Sequence, residues 1–393
     1  MDTTDTLGTT ESYDVVVLGA GYAGQGHAVA LRLCGVEIAG MASRTAEVGA
    51  KIAASLQIPR YSADWRGLLA ELKPDIVAVG TPGGTHLEMI SAALEAGCHV
   101  LADKPLATTA ADAKKLYELA ELKRLKTAYA ASYWYQPQAL FVRELVRAGT
   151  LGRVFEVEGF SHFHWPPLMP FGWPHRLETG GGRLNNNFPH LLAIVQNILG
   201  GEVIAAMGES RNDLKRVPIG QQVHDFREFA KKAMTPEQAA QLNWAEVNSD
   251  WAYTALLRIG DPAKGLDGAA SVTFRHSALR LGRYGDYIAL YGEKGTIHVD
   301  GTYMQGPVYL KTDGPTWEEL AIPLHILDDL PQETDHTQRN WNQLAREFVA
   351  DIRGQPHPRY LTFRDGWIYQ EVIDTVRSNG CWMNVPGAAR PQA

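Results

Sequence analysis

The first third of the chain alternates short apolar runs with stretches in which apolar residues recur at helical spacing. Such apolar runs suit strands that are buried on both faces of a sheet. Strands that alternate with helices at this spacing predict a parallel, doubly wound sheet. The predicted strands are 14–18, 36–42, 74–80, 99–102 and 127–131, and the predicted helices are 25–34, 46–56, 65–72, 87–96 and 106–123.

The rest of the chain has a different pattern, in which apolar and polar residues alternate and Gly-rich turns separate the segments. Alternation with a period of two predicts strands with one buried face, so we expect an open, largely antiparallel sheet. The predicted strands are 154–163, 203–210, 251–259, 269–276, 287–291, 296–299 and 308–311, and the predicted helices are 191–199, 341–351 and 366–377.

Together the two patterns predict an α/β protein of two domains, because 393 residues exceed the size of one ordinary domain. Residues 1–12, rich in Thr and Asp, are predicted to be a disordered arm. Residues 13–131 are predicted to form a Rossmann domain around the doubly wound sheet. Residues 132–393 are predicted to form an α+β domain, with terminal helices that can pack back on the first domain.

Composition narrows the class of protein. Hydrophobic residues make up 45% and charged residues 21% of the chain, as in soluble globular proteins. A net charge of −7 without a Lys/Arg-rich run predicts no nucleic-acid partner and no membrane partner. No apolar run reaches the roughly 20 residues of a membrane span, and the polar start lacks the apolar stretch of a signal peptide. Cys34, Cys98 and Cys381 lie far apart, so we expect free thiols, no metal site and a cytoplasmic location.

The residues after the first strand read Gly19-x-Gly21-x-x-Gly24, which is the pattern of a dinucleotide fingerprint. Gly19 permits a tight turn, Gly21 lets the backbone approach a pyrophosphate, and Gly24 lets the new helix pack close to the strand. The amides at the helix N-terminus, at Tyr22 and Ala23, then face the anion. The alternative is a glycine turn that binds nothing.

The residue about 20 positions further on bears on the choice of dinucleotide, since an acidic residue there usually binds the ribose hydroxyls. Ser43 stands in that position, so a 2′-phosphate would not be repelled, and Arg44 can pair with it or stack on the adenine. Arg44 is equally compatible with a solvated residue at a helix start. We predict NAD, because oxidative chemistry draws on an oxidised NAD pool, and we do not exclude NADP.

Other strand ends bring further residues to the same edge of the sheet, where ligands bind in doubly wound folds. Thr81, Pro82 and His86 follow the strand 74–80, and Asp103 and Lys104 follow the strand 99–102. All five are predicted to contact the cofactor. Lys104 is the one among them that carries an ionisable amine.

With these residues the chain resembles the Gfo/Idh/MocA superfamily, which includes glucose-fructose oxidoreductase and inositol dehydrogenase. The resemblance rests on the fingerprint, on Thr81-Pro82 with His86, and on residues 92–106, where Asp103 precedes Lys104-Pro105 and the family usually has Glu. It continues through 133–137, 151–153, 180–182, 291–296 and 364–366, and so covers nearly the whole chain.

The resemblance implies a set of candidate catalytic groups. Asn186 stands where family members have Asp, and His190 follows four residues later on the same helical face. Without the carboxylate, His190 is expected to favour its neutral form, which suits a general base. Lys104 is expected to polarise the substrate oxygen or share its proton, and Tyr133 is a further candidate base. The alternatives are a helix-capping His and a surface Lys.

Two segments are candidates for the substrate side of the site. Residues 162–176 are dense in prolines, aromatic rings and imidazoles, which predicts an ordered loop suited to a sugar; the alternative is a loop core packed on the sheet. The connection 212–250 is longer than the family leads us to expect, is predicted to be helical at 225–234 and 236–244, and should cover a site or build a subunit contact. The candidate substrate-binding residues are Tyr135, His164, Trp165, Trp173, Arg176, Arg183 and Asn187.

Arginines and histidines near these residues raise the questions of an anionic substrate and of a metal site. Arg176, Arg183 or Arg283 can bind a carboxylate or sulfonate on an anionic sugar. His162 and His164 lie two apart on a strand and point the same way, but no Cys or carboxylate accompanies them at ligand spacing. We therefore predict no metal site.

The leading functional hypothesis is an NAD(P)-dependent enzyme that removes hydride from a secondary hydroxyl, at C3, of a pyranose or glycoside. An alternative within the superfamily is a redox-neutral NAD-dependent glycoside hydrolase, sulfoquinovosidase-like or N-acetylgalactosaminidase-like, that couples oxidation, elimination, hydration and reduction. An alternative of another class is a nucleotide-dependent sugar sensor without turnover. The family also implies that residues 132–393 form the substrate-binding and oligomerisation domain of a homodimer or homotetramer.

Overall fold

The computed structural model describes residues 12–282, 285–378 and 383–384. The first part of the chain folds into a six-stranded sheet. Its strands are β1 (Asp14–Leu18), β2 (Glu37–Ala42), β3 (Arg60–Ser62), β4 (Ile76–Val79), β5 (His99–Asp103) and β6 (Thr127–Ala130). The spatial order is β3-β2-β1-β4-β5-β6, and every neighbouring pair is parallel. The predicted doubly wound parallel sheet is confirmed.

Helices on both faces explain why the central strands are continuously apolar. These helices are α1 (Tyr22–Arg32), α2 (Ala46–Ser55), α3 (Trp65–Leu72), α4 (His86–Glu95) and α5 (Ala110–Lys123). Val15, Val16 and Val17 are fully buried in β1, as expected for a strand covered on both sides. Helix α5 begins four residues later than predicted, because the Thr109 side chain accepts a hydrogen bond from the Asp112 amide and caps the helix there.

The second part of the chain is built on a nine-stranded sheet. Its strands and those of a separate two-stranded ribbon are β7 (Val154–His162), β8 (Glu202–Arg211), β9 (Arg216–Pro218), β10 (Trp244–Glu246), β11 (Ala252–Gly260), β12 (Ala270–Ser277), β13 (Tyr287–Gly292), β14 (Gly295–Asp300), β15 (Val308–Lys311), β16 (Glu318–Leu320) and β17 (Met383–Asn384). The large sheet has the order β16-β15-β14-β13-β7-β12-β11-β8-β17, and β9 pairs with β10. The pair β7 and β12 is parallel and the other pairs are antiparallel, which confirms the predicted, largely antiparallel sheet.

Helices of the second part cover one face of this sheet or return to the first domain. They are α6 (Pro137–Arg147), α7 (Arg183–Asn186), α8 (Phe188–Leu199), α9 (Pro236–Ala240), α10 (Leu324–Asp329), α11 (His336–Ile352) and α12 (Phe363–Arg377). Helix α8 is buried along nearly its whole length, so it lies within the hydrophobic core of the second part of the chain. None of the helices in the described ranges is long and apolar enough to cross a membrane.

The last two long helices lie against the first domain. The Trp341 ring of α11 lies 5.0 Å from the rings of Tyr22 and His27 on α1. A Cβ on Gly26 would approach the Trp341 ring to 2.1 Å, so a glycine is needed at this crossing. In α12, an Asp374 carboxylate oxygen accepts the Ala110 amide at the start of α5, at 2.7 Å. The boundary near residue 131 stays a prediction.

In the connection 212–250, helices were predicted at 225–234 and 236–244, and this prediction is wrong for most of the two ranges. The structure has short 3-10 turns at 226–228 and 230–232, one turn of helix in α9, and then strand β10. The reason is tertiary packing, because Phe229 enters a small hydrophobic cluster that we call the insertion core. The insertion core consists of Met169, Leu214, Val217, Phe229, Val247, Trp251 and Ala278.

Candidate active site

A cavity of about 770 Å³ lies at the carboxyl edge of the parallel sheet and is also lined by the second domain. This volume is typical of small-molecule and cofactor sites. The first domain contributes the strand ends at which doubly wound sheets bind ligands. The predicted cofactor residues that line the cavity are Gly19, Gly21, Tyr22, Ala23, Ser43, Arg44, Thr81, Pro82, Asp103 and Lys104.

The turn after β1 has a geometry that requires glycine. Gly19 has a φ of +111°, in the region that side chains disfavour. A Cβ on Gly24 would lie 1.9 Å from the Gly19 carbonyl oxygen, so glycine is needed for α1 to start this close to β1. A Cβ on Gly21 would meet its nearest neighbour, the His224 carbonyl oxygen, at 3.8 Å. The turn therefore fits a dinucleotide whose pyrophosphate lies at the N-terminus of α1.

Among the described residues, no carboxylate at the end of β2 lines this cavity. Ser43 is held by Tyr61, whose hydroxyl donates to the Ser43 carbonyl oxygen at 2.9 Å. Of the described residues that line the cavity, the acidic ones are Asp103 and Glu178, and neither follows β2. The geometry therefore admits the free ribose hydroxyls of NAD or the 2′-phosphate of NADP.

The structure corrects the prediction that His86 contacts the cofactor. It is fully buried, and its Nε2 lies 2.8 Å from the Thr81 carbonyl oxygen. Burial lowers the pKa of His86. It is absent from the cavity wall in the described part of the chain, so it fixes the turn that carries Thr81 and Pro82. Gly24 is also buried, beneath the turn.

Lys104 and Asn186 meet at the end of the cavity where β5 stops. Lys104 Nζ donates a hydrogen bond to Asn186 Oδ1 at 3.2 Å, and both residues line the cavity. Burial lowers the pKa of Lys104, the Asp103 carboxylate opposes this shift, and the Arg183 cation adds to it. The amine is therefore easier to deprotonate than a surface lysine.

His190 lies on the first turn of α8 with 9% of its surface exposed, and in the described part of the chain neither His190 nor Tyr133 is on the wall of the main cavity. Its Nδ1 is buried and has no hydrogen-bond partner in the described ranges. Burial lowers the pKa of His190 well below its usual value, and the cations of Lys104 and Arg183 lower it further. The ring is therefore neutral near pH 7, the protonation state that a general base needs.

Tyr133 packs on His190, with ring centroids 4.8 Å apart. Its hydroxyl lies 3.4 Å from Thr337 Oγ1, and burial raises its pKa. A second tyrosine that the sequence analysis missed, Tyr303, lies 4.3 Å from the Tyr133 ring and 5.5 Å from the His190 ring. No motif marks Tyr303, which sits in the loop between β14 and β15.

Two of the predicted substrate residues line the main cavity. Trp173 and Arg176 come from the proline-rich loop. The Arg176 guanidinium lies 3.4 Å from the Glu178 carboxylate and 6.0 Å from the centroid of the Phe171 ring. Phe171 also lines the cavity and was not among the predicted residues.

The other predicted substrate residues lie elsewhere, which corrects the sequence analysis. Tyr135 is buried and donates its hydroxyl to Glu347. Asn187 is fully buried and donates to the Tyr303 hydroxyl at 2.8 Å. His164 and Trp165 line a separate, smaller cavity. These side chains are turned away because neighbouring positions on short turns and strands point in different directions.

Arg183 is buried beside the catalytic candidates and is not on the main cavity wall in the described part of the chain. Its Nε donates to His276 Nε2 at 3.1 Å. The guanidinium lies 5.1 Å from the centroid of the Phe163 ring and 5.7 Å from that of Trp165. Arg283 lies outside the described residues.

The connection 212–250 supplies residues that the sequence analysis did not name. Gln222, Val223, His224 and Phe226 line the main cavity opposite the fingerprint turn and the end of β2. The unusual length of this connection was the one sequence signal for them. Within the described ranges, no group of three or more His, Cys, Asp or Glu side chains could hold a metal ion.

Comparisons with known proteins agree with this architecture. Residues 13–130 match the model described as "Oxidoreductase family, NAD-binding Rossmann fold", and residues 140–298 match the GFO/IDH/MocA C-terminal domain. A solved levoglucosan dehydrogenase, in complex with NADH and levoglucosan, superposes with a TM-score of 0.79 at 18% identity, covering 96% of this chain and 100% of that one. At this identity the likeness shows the fold.

Curated relatives match over shorter spans. A levoglucosan dehydrogenase of Pseudarthrobacter phenanthrenivorans is 24% identical over 48% of this chain and 52% of its own length. A dTDP-3,4-didehydro-2,6-dideoxy-alpha-D-glucose 3-reductase of Saccharopolyspora spinosa is 35% identical over 38% of this chain and 44% of its own length. The chain thus spans about half the length of these curated relatives. The two family models together match residues 13–130 and 140–298, more than half of the chain, and the chain belongs to the Gfo/Idh/MocA oxidoreductase family.

Proposed function

We propose that this protein is an NAD-dependent oxidoreductase that removes hydride from a secondary hydroxyl, at C3, of a pyranose or glycoside. The observation that carries the proposal is that Lys104 and Asn186 share one cavity with the dinucleotide edge of the sheet. The names of the two curated relatives support a carbohydrate substrate, and one of them specifies position 3.

His190 takes the hydroxyl proton in this proposal. Its low pKa keeps the imidazole unprotonated, and because Nδ1 is buried, Nε2 is the nitrogen through which His190 would act as the base. When bound, NAD supplies the nicotinamide ring that accepts the hydride. Lys104, oriented by its hydrogen bond to Asn186, stabilises the negative charge that develops on the substrate oxygen.

Arg176 supports an anionic sugar as substrate, because its guanidinium is on the cavity wall, where it can pair with a carboxylate or sulfonate. Arg183 is buried and is not on that wall in the described part of the chain, so in this proposal it acts through its charge, which lowers the pKa of Lys104 and of His190.

A redox-neutral glycoside hydrolase is the second candidate. The observation that favours it is the cover that residues 222–226 place over the dinucleotide edge. An enzyme that regenerates its cofactor within each cycle has no need to release it, so an enclosed cofactor site suits this chemistry.

The experiment that separates the candidates uses free sugars and aryl glycosides, neutral and anionic, with a catalytic trace of NAD. NADH absorbance and aglycone release are followed together. Stoichiometric NADH that demands fresh NAD establishes the dehydrogenase. Many turnovers of aglycone without net NADH establish the hydrolase, and no reaction with any of them contradicts both.

The same assay tests His190. We expect His190→Ala to lower kcat by about 10²–10⁴-fold, the range for loss of a general base, with an NADH affinity close to that of the wild type. His325→Ala is the matched control, since His325 is 65% exposed on α10 and pairs with Glu144. Unchanged turnover in His190→Ala would remove this residue from the mechanism.

A further inference from the structure

We propose that residues 222–227, which we call the cofactor strap, form a wall of the dinucleotide site and keep the bound dinucleotide on the enzyme between turnovers. The strap belongs to the second domain, yet four of its six residues line the same cavity as the fingerprint turn. The inference rests on the proposed use of a dinucleotide, but its test needs no sugar substrate.

The strap touches the first domain at consecutive parts of the dinucleotide edge. The His224 carbonyl oxygen lies closest to Gly21, at 3.8 Å from the position of a Cβ there. His224 Nδ1 lies 3.5 Å from Thr45 Oγ1, beyond the end of β2. The Arg227 guanidinium lies 4.5 Å from the centroid of the Tyr22 ring, at the first residue of α1. The strap therefore bridges the cavity from the pyrophosphate end to the ribose end.

Contacts within the second domain hold the strap in this position. The Asp225 carboxylate accepts the Arg227 amide at 2.9 Å and also pairs with the Arg227 guanidinium. The Phe226 ring packs on Trp165 at 5.2 Å and on Trp173 at 5.6 Å. Phe229, which follows the strap, is 1% exposed in the insertion core. The base of the strap is thus fixed, while His224 and Arg227 are exposed.

These contacts have a consequence for the rate at which a dinucleotide leaves. Arg227 places a cation beside the helix N-terminus that attracts the pyrophosphate. His224 adds a hydrogen-bonding ring beside the residues that follow β2. A dinucleotide held between the strap and the sheet should leave faster once the contacts of His224 and Arg227 with the first domain are lost. Differences between related complexes lie mainly in the dissociation rate, so the strap should act there.

The test measures NADH release in a stopped-flow instrument. Protein loaded with NADH is mixed with excess ADP-ribose, and the loss of NADH fluorescence gives the dissociation rate. The variants are His224→Ala, Arg227→Ala and the double variant. The control is Arg216→Ala, in the same connection, because Arg216 is 56% exposed, pairs with Glu246, and is not on the cavity wall among the described residues.

We expect the double variant to release NADH at least about tenfold faster than the wild type, equivalent to roughly 1.4 kcal/mol, and the control to release it at the wild-type rate. Thermal unfolding midpoints of all proteins check that the variants are folded, and Arg227→Lys, which keeps the charge, gives a second folded comparison with a smaller increase. Equal rates in wild type and double variant would overturn the strap and leave the proposed function standing. Failure of the wild type to bind NADH would instead overturn the proposed function.

Discussion

At the scale of single residues, Asn186 both accepts and donates hydrogen bonds, and its neighbours require this combination. Its Oδ1 accepts from Lys104 Nζ, and its Nδ2 donates to the carbonyl oxygens of Gly180 at 3.1 Å and Gly182 at 2.7 Å. An aspartate would satisfy Lys104 but would place a carboxylate oxygen against two carbonyl oxygens. The amide therefore suits this position better than the acid.

We expect Asn186→Asp to lower the free energy of unfolding by about 1–3 kcal/mol, the cost of losing both donated bonds in a buried place. Urea unfolding at neutral pH measures the change. Asn243→Asp is the control, since Asn243 is exposed and surface changes of this kind stay within about 0.5 kcal/mol. Equal stability of Asn186→Asp and the wild type would contradict the hydrogen-bond directions.

The residues of the site were predictable to different degrees. The fingerprint glycines were predictable because their spacing lies between an apolar run and a helical pattern, where a strand must turn sharply into a helix. Tyr133 and Tyr135 are two apart on one short turn, yet Tyr133 packs on His190 and Tyr135 bonds to Glu347, more than 200 residues away. Sequence spacing does not specify side-chain direction on such a turn, and it does not reveal a distant partner.

At the scale of elements, helix α11 brings a buried carboxyl group to the seam between the domains. Glu347 is 4% exposed, accepts the Tyr135 hydroxyl, and accepts Gln343 Nε2 at 3.0 Å. Burial raises the pKa of Glu347 to about 7. Because the folded state favours the protonated form, this stabilising contribution is complete below about pH 4.5 and is lost as the pH rises through about 7.

We expect Glu347→Gln to abolish this pH-dependent loss of stability, because the glutamine side chain is neutral at every pH. Relative to the variant, the wild type should lose up to about 3 kcal/mol of unfolding free energy between pH 5 and pH 8, on the scale of about 1.4 kcal/mol for each pKa unit. Urea titrations at the two pH values measure it. Glu118→Gln, at a side chain that is 60% exposed, serves as the control. Parallel pH dependence in wild type and Glu347→Gln would contradict the prediction.

The elements themselves followed from the sequence wherever local pattern and packing agree. Five of the six parallel strands were predicted to within two residues, because their apolar runs mark strands that are covered on both faces. The short strand β3 was missed, because its sequence, Arg-Tyr-Ser, is exposed or half-buried and has no apolar run. The connection 212–250 was wrong because the insertion core, assembled from three separated parts of the chain, outweighs the local helical tendency. Helix α6 was missed, although Pro137 stands at its first turn, where proline favours a helix start.

At the scale of the whole molecule, the nine-stranded sheet has two unlike faces. One face is apolar and covered, with Val157, Val272 and Ile288 fully buried. On the strands β7, β13 and β14, half-buried aromatic rings form a row: Phe160 stacks on Tyr287 at 5.1 Å, and Tyr287 stacks on His298 at 4.8 Å. Trp317 continues the row and is 49% exposed. If the chain forms the expected oligomer, we expect a second copy to bury this aromatic row.

We expect size-exclusion chromatography with light scattering to give the mass of a dimer or tetramer at micromolar concentration. Trp317→Arg should shift the mass toward that of one chain, because it places a charge within the aromatic row. Leu122→Arg is the control, since Leu122 is 78% exposed but lies on α5 in the first domain. A wild-type protein with the mass of one chain would contradict the prediction.

The return of α11 and α12 to the first domain also sets the order in which the chain can be completed during synthesis. Helix α1 is covered by Trp341, and α5 is covered by α12, yet about 200 residues separate the end of β6 from the start of α11. At roughly 5–20 residues per second, the ribosome needs on the order of 10–40 s to bridge that interval. During that time the surface of the nascent first domain that those two helices later cover is exposed to solvent. It is then accessible to molecular chaperones.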